Sequence, residues 1–291
     1  MVRTLRSKVS LTLLSTSFLA SDDSGEGTAG FRNGPMSPKH QDSTLSSPPQ
    51  SPVPPGTSTM LPHHNTTTVH YGASLQSTTH AIILLHGRGG TPASIAIPLI
   101  TTFLTPGTES RLRIVAPAAQ DRTWYPHVYT AAQSQTEPFL TGAIERVERE
   151  VRALEDNGIT RDKIMIGGFS QGACLTARFL LKYPAKYWGT FVFSGAIPGL
   201  FSYVMETRGR GEDEFEGVDL RGTRVFVGCG DSDPLIGARA AEWTAWVFQR
   251  RGAEVTKRIY EGLGHSICKE ELEVLKGWVQ EMATEDEVRQ T

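Results

Sequence analysis

Little in this 291-residue chain speaks for metal, disulfide, nucleic-acid or membrane-spanning chemistry. Cysteine is scarce: Cys174, Cys229 and Cys268 are odd in number, and none has the C-x-x-C spacing of a zinc or redox site. They read as reduced, buried small residues in a cytosol-like compartment. An excess of either charge is also missing. The 29 Lys and Arg meet 31 Asp and Glu, a net charge of −2, and no basic stripe runs along the chain. Nucleic acid therefore finds no electrostatic footprint. No apolar run approaches the roughly 18 residues that a membrane-spanning helix needs. The G-x-G-x-x-G and Walker phosphate loops are absent, and no internal repeat is apparent.

Trp and Tyr are missing from residues 1–66, which nevertheless hold eight of the 17 prolines. Residues 21–66 are rich in Ser, Thr, Pro and Gly, with Ser-Pro pairs at Ser37, Ser47 and Ser51. Such a segment cannot bury enough apolar surface to offset its chain entropy, so a disordered extension is expected there. The first 20 residues carry Arg3, Arg6 and Lys8, no acid, and a weak apolar run diluted by Ser and Thr. An untargeted, cytoplasmic chain is the preferred reading. Mitochondrial import or secretion is the alternative if residues 1–20 act as a targeting peptide, and Met60 is an alternative start.

From residue 67 the pattern changes. Short apolar runs alternate with helical periods, the mark of a mostly parallel α/β sheet with helices on both faces. Ala81-Ile82-Ile83-Leu84-Leu85 is apolar throughout, as suits a strand covered on both sides. Thr91 as N-cap with Pro92 behind it opens a helix to about residue 104. Leu140, Ala143, Ile144, Val147, Val151 and Leu154 share one helical face, and Gly158 stands where a helix stops. Further strands are expected at 69–71, 112–115, 163–167, 191–193, 224–227 and 255–260. Helices are expected at 173–181, 237–250 and through Leu272, Leu275, Trp278, Val279 and Met282. The polar stretch 206–219 reads as a surface insertion or lid-like loop. Residues 67–286 form the expected domain, between the extension 1–66 and a short tail, 287–291.

Within that domain Gly168-Phe169-Ser170-Gln171-Gly172 lies between a strand and a helix. Strand, G-x-S-x-G, helix is the setting of a nucleophile elbow, where a strained turn lifts a serine above the sheet. Serine needs a base and an orienting acid, on loops at the same sheet edge. Later strands supply both in the order Ser, Asp, His. One strand ends in Gly228-Cys229-Gly230-Asp231-Ser232-Asp233-Pro234, the next in Glu261-Gly262-Leu263-Gly264-His265. His265 is the candidate base. Asp231 and Asp233 compete as the acid; Asp233 is preferred, with Asp231 forming the turn.

Oxyanion donors are expected from the Gln171 N–H and from the loop His86-Gly87-Arg88-Gly89-Gly90, with the Arg88 amide preferred. A plain tight turn is the alternative for that loop. His86 reads as structural, and Cys174 is not placed to replace Ser170. Trp124 and Tyr125 either wall a substrate pocket or belong to the core.

LLHGRGG, TWYP, GFSQGA, the DSDP loop and YEGLGH, in that order, resemble the phospholipase/carboxylesterase family of α/β hydrolases, which includes the acyl-protein thioesterases. The resemblance covers about residues 67–285. It implies one α/β-hydrolase domain without a cofactor, with Ser170 as nucleophile, Asp233 as acid and His265 as base. It matches the amides of Arg88 and Gln171 to the family's oxyanion donors. Carboxylic esters or thioesters are the implied substrates, as small molecules or as acylated proteins or lipids. HGRGG departs from the H-G-x-G-D of acyl-protein thioesterases, and the long N-terminus and the polar stretch near 208–219 are additions. The expectation from another class is a catalytically silent copy of the fold acting as receptor or scaffold.

Overall fold

Seven strands make the sheet in the computed structural model, which describes residues 67–200 and 215–290. They are β1 (Thr68–Gly72), β2 (His80–Leu85), β3 (Leu112–Pro117), β4 (Ile164–Phe169), β5 (Gly189–Phe193), β6 (Arg224–Gly230) and β7 (Glu254–Tyr260). Their spatial order is β1-β3-β2-β4-β5-β6-β7, with β1 antiparallel to β3 and every other pairing parallel. The helices are α1 (Pro92–Phe103), α2 (Gln133–Glu155), α3 (Gln171–Lys182), α4 (Ala238–Arg250) and α5 (Lys269–Gln290). This is the mostly parallel α/β sheet expected from the alternation, in the α/β-hydrolase-like arrangement that the resemblance implied.

Side chains on β2 alternate between two cores. Ala81, Ile83 and Leu85 face α2, α3 and α4, while Ile82 and Leu84 face α1 and α5. Both sides of the strand are therefore covered, which is why its sequence is apolar without interruption. Each Leu or Ile so buried contributes roughly 1.5–3 kcal/mol relative to exposure. The outer strand β7 needs no such run: Lys257 and Arg258 lie exposed on it.

Local signals act as their chemistry predicts. The Thr91 hydroxyl accepts the Ser94 N–H at 3.2 Å while Ser94 Oγ accepts the Thr91 N–H at 2.8 Å, closing a capping box ahead of Pro92. At the end of α2, Gly158 takes φ +84. Its N–H donates to Glu155 O and that of Ile159 to Leu154 O, the paired bonds of a Schellman stop.

Some boundaries differ from expectation. α2 starts at Gln133, a turn and more before its apolar stripe, because residues 133–139 add a turn and more that buries only Thr136 and leaves Phe139 half exposed. α5 runs to Gln290, so the boundary expected at 286 falls inside it. Cys268 is only half-buried, because it sits at the loop end that opens α5 rather than in the core with Cys174 and Cys229. The expected extension 1–66 and most of the polar stretch 206–219 lie outside the described residues.

Chain order places the site. From β2 the chain steps to β3 on one side, then returns to β4 on the other. The loops leaving β2 and β4 diverge to helices on opposite faces and leave a crevice at the carboxyl edge. Leu85 and Gly168 are paired across that edge, so the Gly-rich loop and the Ser170 turn meet there.

Candidate active site

Ser170 is held at φ 55, ψ −120, a conformation that L-residues rarely adopt. Gly168 and Gly172 explain how the turn closes. A Cβ on Gly168 would stand 2.4 Å from Leu85 O, and one on Gly172 only 2.1 Å from the same oxygen. The elbow is thus pressed against the end of β2, and both positions exclude any side chain. Ser170 N–H donates to Phe193 O and Ser170 O accepts from Cys174, so backbone bonds on both sides maintain the strained residue.

Asp233 and His265 converge on this serine from the ends of β6 and β7. His265 Nε2 lies 2.8 Å from Ser170 Oγ, and its Nδ1 lies 2.8 Å from Asp233 Oδ2. A carboxylate only accepts, so Nδ1 carries the ring proton. In the neutral ring Nε2 is then the acceptor, and Ser170 Oγ–H donates to it. Phe169 packs on the imidazole with ring centroids 4.8 Å apart.

The side chain of Asp233 is fully buried. Burial alone would raise its pKa. The hydrogen bond from His265, the Ile236 amide, the charge of His265 and the Leu235 amide outweigh this and hold its carboxyl at about 2. Asp231 behaves differently. It is exposed, and its Oδ1 accepts the Gly262 N–H at 2.8 Å and the Ser232 hydroxyl. It therefore ties the β6 loop to the β7 loop and does not reach His265.

His86-Gly87-Arg88-Gly89-Gly90 lies alongside. A Cβ on Gly87 would stand 3.3 Å from the Cβ of Ser170. The N–H groups of Gly89 and Gly90 are used by Arg122 O and Gly87 O, whereas that of Arg88 takes no part in the turn. The Gln171 N–H heads α3, where first-turn amides have no partner within the helix. His86 is buried and structural. Its Nδ1 donates to Gly87 O, its Nε2 accepts the Ala119 N–H, and burial lowers its pKa.

Trp124 and Tyr125 are buried, 7% and 2% exposed, in the core beneath α2 and α3. Trp124 Nε1 donates to His86 O at 2.8 Å. What the sequence did not disclose is the side chain of Gln171. Its Oε1 accepts the Trp124 N–H at 3.0 Å and its Nε2 donates to Tyr125 O at 2.7 Å. Cys174 lies behind the elbow and accepts the Ala196 N–H; burial pushes its thiol up to about 11, which disfavours the nucleophilic thiolate. Among the described residues no group of three or more His, Cys, Asp or Glu is placed to hold a metal ion. No helix among them is long and apolar enough to cross a membrane.

Known proteins resemble the chain over this region. The family described as phospholipase/carboxylesterase matches residues 72–283. A probable carboxylesterase, SOBER1-like, of Arabidopsis thaliana is 31% identical over 152 residues, covering 52% of this chain and 55% of its own length. Acyl-protein thioesterase 1 of Saccharomyces cerevisiae is 29% identical over 147 residues, covering 47% of this chain and 58% of its own length. The chain thus spans little more than half of these curated relatives. The crystal structure of a phospholipase/carboxylesterase from Dyadobacter fermentans superimposes with a TM-score of 0.64 at 28% identity, covering 74% of this chain and 96% of that one.

Proposed function

Because the chain belongs to the phospholipase/carboxylesterase family of α/β hydrolases, we propose that it is a serine hydrolase of carboxylic esters or thioesters. The observation that carries this reading is His265 standing 2.8 Å from both Ser170 Oγ and Asp233 Oδ2. Ser170 Oγ attacks the acyl carbon as His265 Nε2 takes its proton, and Asp233 stabilises the resulting imidazolium. The carbonyl oxygen gains negative charge, which the N–H groups of Arg88 and Gln171 stabilise by donating hydrogen bonds to it. The tetrahedral intermediate collapses, and His265 returns the proton to the departing alcohol or thiol. Water, deprotonated in turn by His265, then releases the acid from Ser170.

Names of relatives point to two leaving-group classes, oxygen esters and acyl thioesters on protein. Small esters, acylated proteins and acylated lipids are the proposed substrates. The test is labelling by a fluorophosphonate together with hydrolysis of p-nitrophenyl esters from acetate to palmitate and of a palmitoyl-peptide thioester. Wild type should label and turn over at least one series; Ser170→Ala should do neither. Undiminished labelling of Ser170→Ala would overturn the assignment, and an inert, folded wild type would favour a silent scaffold.

A further inference from the structure

One backbone carbonyl, Tyr125 O, receives side-chain hydrogen bonds from both residues whose amides are the proposed oxyanion donors. Gln171 Nε2 donates to it at 2.7 Å and Arg88 Nη2 at 3.1 Å. A carbonyl oxygen has two lone pairs, so this pair of donors fills it. Arg88 Nη2 also donates to His127 O at 2.7 Å, and Gln171 Oε1 accepts the Trp124 N–H. The segment 124–127 is in turn stitched to the Gly-rich loop and its base. Trp124 Nε1 donates to His86 O, and Gly89 N–H donates to Arg122 O just upstream.

We propose that residues 124–127 form a clamp that presets the oxyanion hole, with the side chains of Arg88 and Gln171 as positioning residues anchored on Tyr125 O. The proposal rests on the serine-hydrolase reading above. Its physical basis is that oxyanion stabilisation depends on donors already aimed at the developing charge. Arg88 lies on an exposed loop and Gln171 on the first turn of α3. Those elements leave different strands for opposite faces of the sheet, and beyond their packing at the elbow the side chains of both residues are held by one shared partner, Tyr125 O. Gln171 is 5% exposed and both polar atoms of its side chain are engaged, so turning it away would orphan the buried Trp124 N–H and leave Tyr125 O with Arg88 as its side-chain donor.

This assigns a role to Arg88 that its backbone alone would not need. It also explains Tyr125 through its main-chain carbonyl and Trp124 through its main-chain N–H and its indole N–H. The test uses the intact chain and three variants: Arg88→Ala, Gln171→Met, which keeps volume without the bonds, and the double. Each is checked for Tm, for kcat and KM on a p-nitrophenyl ester, and for inhibition by a trifluoromethyl ketone, whose adduct on serine carries an oxyanion.

Because misplacing a group by about 1 Å can cost on the order of 10²-fold, each single variant should lose roughly tenfold or more in kcat with KM little changed. Ketone affinity should fall in parallel. The two losses should not simply multiply in the double variant, since both donors load one carbonyl. Arg88 is exposed, so Arg88→Ala should still fold, and a folded Arg88→Ala with wild-type kcat and ketone affinity overturns the proposal. Losses confined to KM or Tm, or losses that multiply cleanly, also overturn it. A wild type inert to the ester and the fluorophosphonate would instead refute the hydrolase reading itself.

Discussion

The carboxylate of Glu271 occupies the space that any residue other than glycine would need at position 228. A Cβ on Gly228 would stand 2.0 Å from Glu271 Oε1. Glu271 is fully buried; its Oε2 accepts the Cys268 N–H at 2.9 Å, while Oε1 has no hydrogen-bond partner. The contact ties the start of α5, just after His265, to the end of β6, just before Asp233.

Burial pushes the Glu271 carboxyl up to about 7; the Cys268 bonds resist and the Glu270 charge adds to it. Tyr260, Cys268 and Cys229 are the other titratable groups coupled to it, all held protonated by their own upward shifts. Its folded pKa lies above the usual 4.5, so the folded state binds the proton more tightly than the unfolded chain. The stability that this preference contributes is present below about pH 4.5 and is lost as pH rises through 7. Glu271→Gln cannot ionise and still offers Cys268 an acceptor. Relative to wild type it should gain on the order of 3 kcal/mol between pH 5 and pH 8. Denaturant titrations of both proteins at the two pH values measure this; an equal difference at both would refute it.

Asp233 and Asp231 should separate cleanly on substitution. Asp233→Asn keeps the shape but reverses what His265 Nδ1 meets, and should lower kcat by about 10⁴-fold with KM nearly unchanged. Asp231→Asn keeps an oxygen for the Gly262 N–H and should stay within about threefold of wild type. Steady-state kinetics on one activated ester decides between them. The reverse ranking would move the acid to Asp231.

Glycines should divide by the space around them. Gly172→Ala and Gly168→Ala drive a methyl into Leu85 O, backbone that cannot yield, and should each cost several kcal/mol or prevent folding. Gly142, inside α2, has nothing within 4 Å of its would-be Cβ. Gly142→Ala should therefore stabilise by about 0.5–1 kcal/mol. Thermal unfolding of the three variants checks the order.

Ser170 carries a Cβ at φ 55, where glycine is at ease. Ser170→Gly and Ser170→Ala both abolish the hydroxyl, but only glycine relieves the backbone. Ser170→Gly should exceed Ser170→Ala in stability by on the order of 1 kcal/mol, with both inactive. Equal Tm values would mean that the elbow stores no strain.

Much of this was legible in the chain. The apolar run 81–85 could be a doubly covered strand and little else, and Thr91-Pro92 and Gly158 marked helix ends through their own side-chain or φ chemistry. The G-x-S-x-G turn announced itself because it sits between an apolar strand run and a helical run, although the contact its glycines answer, Leu85 O, lies far away along the chain. The start of α2 was harder, since residues 133–139 carry no apolar stripe, and the half-exposure of Cys268 depends on its place at the loop end that opens α5.

By itself the sequence determined the alternation of elements, the order Ser, Asp, His and the turns that hold them, because those follow from neighbours along the chain. Tertiary structure alone decided that Asp233 rather than Asp231 meets His265, that Gln171 and Arg88 share the carbonyl of Tyr125, and that Glu271 is buried against Gly228. Those partners lie 32, 46, 37 and 43 residues apart, and Ser170 lies 95 from His265. Only the register of the parallel sheet, which aligns the ends of its strands at one edge, brings such distant groups within hydrogen-bond reach.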